Sequence, residues 1–234
     1  MAQDTFAIKW DEIGKRFYET GVDRVVLYLT NPEYNPATNG SEPYLAGVAW
    51  SGVTSISQSS SGGEASPLWA DNIKYLNLVS AEEAQASIEA YTYPDDFEKC
   101  DGIASIATGA TIGQQSRQMF GLTYRTRIGN DVKQDDLGYK IHFLYGCLAS
   151  PTDRSYTTVN DSPEAISFSW SITTTPVAVT DHKPTAVLTV DSRTATPAKL
   201  TTLEETIYGK AASGNTQATD PKLPLPDEII SILS

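Results

Sequence analysis

Apolar and polar residues alternate with a period of two through most of the chain, the signature of half-buried strands. Val22 to Leu29 is rich in β-branched residues and stops at Asn31-Pro32, a turn signal, so it predicts a strand. Ala84, Ala86, Ile88 and Ala90 alternate with Glu83, Gln85, Ser87 and Glu89, which predicts a strand with an acidic outer face. Ile166, Phe168, Trp170 and Ile172 alternate with Ser167, Ser169, Ser171 and Thr173, and here the outer face is small and uncharged. From Gln118 to Ile128 the even positions carry Phe120, Leu122, Tyr124 and Ile128, with Arg125 and Arg127 opposite, and Asn130-Asp131 opens a turn. Tyr139 to Leu148 is apolar on both parities, as expected of a central strand covered on both faces. With Tyr44 to Gln58, Leu68 to Val79 and Ala186 to Val190, the pattern predicts about eight strands. Strands this numerous, joined by short turns, predict a mainly β fold of two packed antiparallel sheets, a β-sandwich or partial barrel.

Helical signals are few. Pro94 to Gly102 starts with acids and ends at Gly, which suits a short helix whose dipole favours negative charge at its start. Pro197 to Tyr208 is the strongest: Thr196 is placed to cap it, Leu200, Leu203 and Ile207 form a stripe, and Gly209 stops it. Two stretches carry neither period. Ser55 to Ser66 is dominated by Ser and Gly and predicts a flexible loop. Ala211 to Pro226 reads as a linker, and it ends in the apolar run Glu228 to Leu233. A polar strap with an apolar plug predicts an arm that docks through Leu223, Leu225, Ile229, Ile230 and Leu233, the alternative being a terminus that packs on its own domain. The chain therefore divides into a β domain over 1–192 and a C-terminal helix and extended arm over 193–234.

The 234 residues suffice for one domain with a core that needs no staples. A hydrophobic content of 40% and a charged content of 20% exclude wholesale disorder. The formal charge is −12 with no Lys/Arg cluster, which argues against a protein that grips a phosphate backbone, because that affinity comes from basic groups displacing counterions. Asp4, Asp11, Glu12, Glu19 and Asp23 interrupt the region where a signal peptide would be apolar, so no secretory address is expected. Apolar runs such as Ile141 to Ala149 fall short of the roughly 20 residues of a spanning helix, and no membrane partner is expected. Cys100 and Cys147 are too few for a disulfide scaffold and are expected to be reduced. Asn39-Gly-Ser and Asn160-Asp-Ser match the glycosylation pattern, which matters only on a secretory route.

Most of the usual catalytic sets cannot be assembled from these residues, which leaves the acidic clusters as the remaining candidates. His142 lies in an apolar strand, where a satisfied or solvent-facing imidazole is expected, and His182 precedes Pro184 in a loop. Without a His-x-x-x-His or Cys-x-x-Cys pair, zinc has no ligand set. Neither the nucleophile elbow nor the phosphate-cradling loop motif occurs. Asp95, Asp96, Glu98 and Asp101 fit a helix start, and Asn130, Asp131, Asp135 and Asp136 fit a hairpin tip without the ligand order of a calcium loop. No catalytic residue, metal or cofactor is expected. Of the four tryptophans, Trp170 sits on the apolar parity of its strand, while Trp69 follows the Ser-rich stretch and is the one placed to meet a partner.

Several blocks together are similar to the major tail tube proteins of bacteriophages with long, non-contractile tails. They are Leu68-Trp-Ala-Asp-Asn-Ile-Lys-Tyr75, Ala86 to Gly102 with its Tyr-Thr-Tyr-Pro-Asp-Asp-Phe, and Phe120-Gly-Leu-Thr-Tyr-Arg-Thr-Arg-Ile-Gly-Asn-Asp131. Tyr139-Lys-Ile-His-Phe-Leu-Tyr-Gly146, Asp161-Ser-Pro-Glu-Ala165 through Trp170 to Val177, Leu203 to Gly209, and Leu223-Pro-Leu-Pro-Asp-Glu228 follow in order. The resemblance spans nearly the whole chain, and no additional immunoglobulin-like domain is expected after it.

The resemblance implies a β-sandwich-like subunit that closes into hexameric rings, stacked into a tube through which the genome leaves the virion. It also implies assembly in the host cytoplasm, and partners that include further copies of the chain and the tape measure, distal tail and tail terminator proteins. Double-stranded DNA would be in transit only, not tightly bound. Ring-to-ring contact is then expected at Ser57, Ser59, Ser60, Gly62, Gly63, Glu64 and Trp69, and a lumen face at Glu83, Gln85, Ser87, Glu89, Ser167, Ser169 and Ser171. If each of six subunits adds four strands, a barrel of 24 strands about 4.8 Å apart has a circumference of roughly 115 Å and a diameter of about 37 Å, room for duplex DNA. The acidic balance suits a conduit that repels phosphates. Two alternatives stand beside this reading: an inner-tube subunit of a contractile tail or secretion machine, and a carbohydrate-binding β-sandwich.

Overall fold

The computed structural model describes residues 10–35, 37, 42–158, 161, 165–214 and 217–234. Asp4, the Asn39 and Asn160 triplets, and Ser162 to Glu164 of the resemblance lie at least partly outside the described residues. The strands are β1 (Phe17–Leu29), β2 (Val48–Ala49), β3 (Val53–Gly62), β4 (Ala65–Ala70), β5 (Ile73–Val79), β6 (Glu82–Ala90), β7 (Ala104–Ala107) and β8 (Ala110–Ile112). They continue with β9 (Phe120–Asn130), β10 (Gln134–Ala149), β11 (Phe168–Thr174), β12 (Val177–Val179), β13 (His182–Thr185) and β14 (Val187–Asp191). Two α-helices follow, α1 (Pro197–Tyr208) and α2 (Pro226–Leu233), and a 3-10 turn spans Asp95–Lys99. The fold is mainly β, and every strand pairing is antiparallel.

The main sheet runs β2-β1-β9-β10-β11-β6-β3, with β14 also on β10. Strand β10 makes this a sandwich. Its Lys140 to Leu144 stretch lies between β9 and β14, whereas Cys147 to Ala149 pairs with β11. The change of partner falls at an irregularity between Leu144 and Cys147, where Gly146 has φ 57° and an added Cβ would run into the Thr175 carbonyl. Only Gly accepts that backbone at low cost, so the sheet turns over on itself there.

The apolar residues of the two layers meet in a first core. Val25, Leu27 and Leu29 of β1, Phe120, Leu122 and Tyr124 of β9, Ala86, Ile88 and Ala90 of β6, and Trp170 and Ile172 of β11 all point into it. Trp50, Phe97 and Trp170 pack within it in tilted and edge-to-face pairs at centroid distances of 4.5 to 5.6 Å, and the Trp50 indole donates to the Thr92 carbonyl at 2.8 Å. A second core covers the other face of β1 and β10. Val26, Tyr28, Ile141, Phe143 and Tyr145 pack there against Leu200, Leu203 and Ile207 of α1 and Leu223 and Ile229. Strand β10 is thus covered on both faces, which is why its sequence is apolar on both parities.

Four elements differ from the sequence expectation. Ser55–Ser66 is not a loop: β3 pairs with β6 from Ser55↔Glu89 to Gly62↔Glu82, and the turn is compressed to Gly62 and Gly63, both at positive φ. Serine masked the strand because β3 lies at the end of the sheet, where polar residues on the solvent face cost nothing. Leu68–Val79 is not one strand but the hairpin β4–β5, turned by Asp71 and Asn72 with φ of 50° and 63°, the positive pair that a type I′ turn requires. Tyr44–Gln58 is broken after the short β2 by Gly52, whose φ is 84°. The C-terminal arm is not extended. Its apolar end is the helix α2, which begins at Pro226 and is tied down by Asp227, whose carboxylate accepts from the Thr180 N–H at 2.9 Å and its hydroxyl at 2.7 Å.

Helix α1 has the bounds that the sequence spacing predicts, with the stripe Leu200, Leu203 and Ile207 buried. Thr196 makes no side-chain cap there; its carbonyl accepts the Leu200 N–H at 2.9 Å. The Pro94–Gly102 segment holds the expected short helix, of the 3-10 type over Asp95–Lys99, with Phe97 in the first core.

Candidate assembly surfaces

The register of three strands assembles one polar face from segments far apart in sequence. Ser55, Glu89 and Ser169 lie side by side across β3, β6 and β11, followed by Ser57, Ser87 and Ser171, then Ser59, Gln85 and Thr173. Ser61 lies beside Glu83 at the end. The Ser55 hydroxyl donates to Glu89 at 3.1 Å, and the Gln85 amide donates to the Ser61 hydroxyl at 3.2 Å. The two faces singled out in the sequence, Glu83 to Glu89 and Ser169 to Thr173, are therefore one face, and Ser167 lies exposed just before β11. Its only charges are Glu83 and Glu89, with no Lys or Arg at any of these positions. Ser57 and Ser59, expected in a loop, belong to this face, and Ser60 is on the opposite parity of β3. Sequence reasoning missed Ser55 and Ser61, although serine recurring at every second position was the available signal.

The second surface is the hairpin β4–β5. Its strands pair only with each other, and every residue in both is exposed. Leu68 faces Leu76, and Ser66 faces Leu78, so one side of the ribbon carries three leucines. Trp69 is 68% exposed and Tyr75 69%. A two-stranded ribbon with no core of its own is marginal in water, and a contiguous apolar patch of this kind marks an interaction site. Gly62, Gly63 and Glu64 form its base, where the Gly63 N–H donates to the Ser80 hydroxyl at 3.1 Å.

The predicted arm residues are distributed otherwise. Leu223 and Ile229 are buried in the second core of their own chain, Leu225 and Leu233 pack against it, and Ile230 is exposed. An added Cβ on Gly121 of β9 would strike Leu223, which shows how closely the strap crosses the sheet.

Several other polar groups are satisfied locally. His142 stacks on Tyr124 at 4.7 Å, with Nε2 2.9 Å from the Thr126 hydroxyl and Nδ1 3.2 Å from that of Thr189. Burial holds its pKa below the usual histidine value, against the opposing pull of Glu19. Burial pushes the Cys100 thiol up to about 12 and the Cys147 thiol higher still, so neither is poised as a nucleophile. Asp131 accepts the Gly14 N–H and Asp135 the Tyr18 hydroxyl, which accounts for two acids near the β9–β10 turn. Among the described residues no three His, Cys, Asp or Glu converge as a metal site, and no helix is long and apolar enough to cross a membrane.

No family model matches the chain, and no curated protein matches it. Among solved structures, a chain of the anti-feeding prophage baseplate, in a six-fold symmetrised cryo-EM structure, is similar at 11% identity. The match covers 78% of this chain and 97% of that chain, with a TM-score of 0.37.

Proposed function

We propose that this chain is a non-enzymatic structural protein of a phage tail. More specifically, it is the major tail tube subunit of a long, non-contractile tail: rings of about six copies stack into a tube that conducts DNA. The observation that carries the reading is the continuous Ser/Gln/Glu face of β3, β6 and β11. A wall that duplex DNA must pass needs hydroxyls and scattered carboxylates rather than cations or apolar patches, because each cation set against a phosphate adds counterion-release affinity. With the end of β10 beside β11, this layer is four strands wide, the number assumed for each subunit in the barrel estimate above. Strand β3 ends the sheet path, and its outer edge suits pairing with a neighbouring copy. The order of similar sequence blocks points the same way.

Charge reversal tests it. Glu83→Lys with Glu89→Lys changes two solvent-facing side chains, so subunit folding and tube assembly are expected to persist. The lumen would then hold cations repeated along its length, and DNA passage should slow, with partial recovery at high salt. Unchanged ejection kinetics in normally assembled mutant tails would place this face on the outside.

A further inference from the structure

We draw no further inference here: the strongest candidate, the apolar groove between the outer edge of β14 and helix α2 that Leu188, Val190, Ile229 and Leu233 line, carries nothing because nothing in the structure shows what covers it.

Discussion

Asp23 holds two arginines across the β1–β9 pair. Its carboxylate accepts from Arg125 at 2.7 and 2.8 Å and from Arg127 at 3.2 Å, and the Arg125 hydrogen bonds keep its pKa below the usual aspartate value, against the effect of burial. A depressed carboxylate pKa means that the folded state prefers the ionised form. The stabilisation is complete above the unfolded value of about 4 and is lost as pH falls through the lower folded value. Asp23→Asn should therefore cost about 1–2 kcal/mol at pH 7, a partly solvated charged hydrogen-bond pair, and less at pH 3, below the unfolded value. Urea midpoints of the two proteins at both pH values check this, and an equal gap at pH 3 would contradict it. Arg125 and Arg127 were legible as a polar parity of β9, but their partner was not, because Asp23 is 102 residues away from Arg125.

At the scale of elements, local patterns were readable where one period dominated. Helix α1 has a cap position, Pro, an apolar stripe and a stop within a few residues, and β10 is apolar on both parities because both of its faces are covered. The hairpin β4–β5 was not readable, since its apolar residues face solvent and the Asp71-Asn72 turn interrupts what looks like one strand. The proposal that it is a contact predicts a separation of folding from assembly. Trp69→Ser with Leu76→Ser removes two exposed side chains that contribute to neither core, so the thermal midpoint of the free subunit should stay within about 2 °C of wild type. Assembly should be abolished, which sedimentation of the concentrated variant would show. Assembly equal to wild type would mean that the ribbon serves no contact between copies.

Over the whole molecule, sheet layers and helices make two cores, and only the register between distant strands reveals the candidate site. The sequence showed two polar strand faces, Glu83 to Glu89 and Ser167 to Thr173, but not that they adjoin, nor that Ser55 to Ser61 extends them. Adjacency is set by long-range pairing, to which period-two alternation is blind. The C-terminal segment shows the same limit. Its apolar end was visible as a plug, but the groove it fills is made by β1 and β10 of its own chain. The central claim, a self-assembling tube lined by the Ser/Gln/Glu face, is tested most directly by electron microscopy of the concentrated purified protein. The expected images are rings of about six subunits stacked into a hollow tube wide enough for duplex DNA, with β3, β6 and β11 facing the lumen. A monodisperse monomer that persists at high concentration, or a tube whose lumen is lined by α1 and α2, would contradict the account.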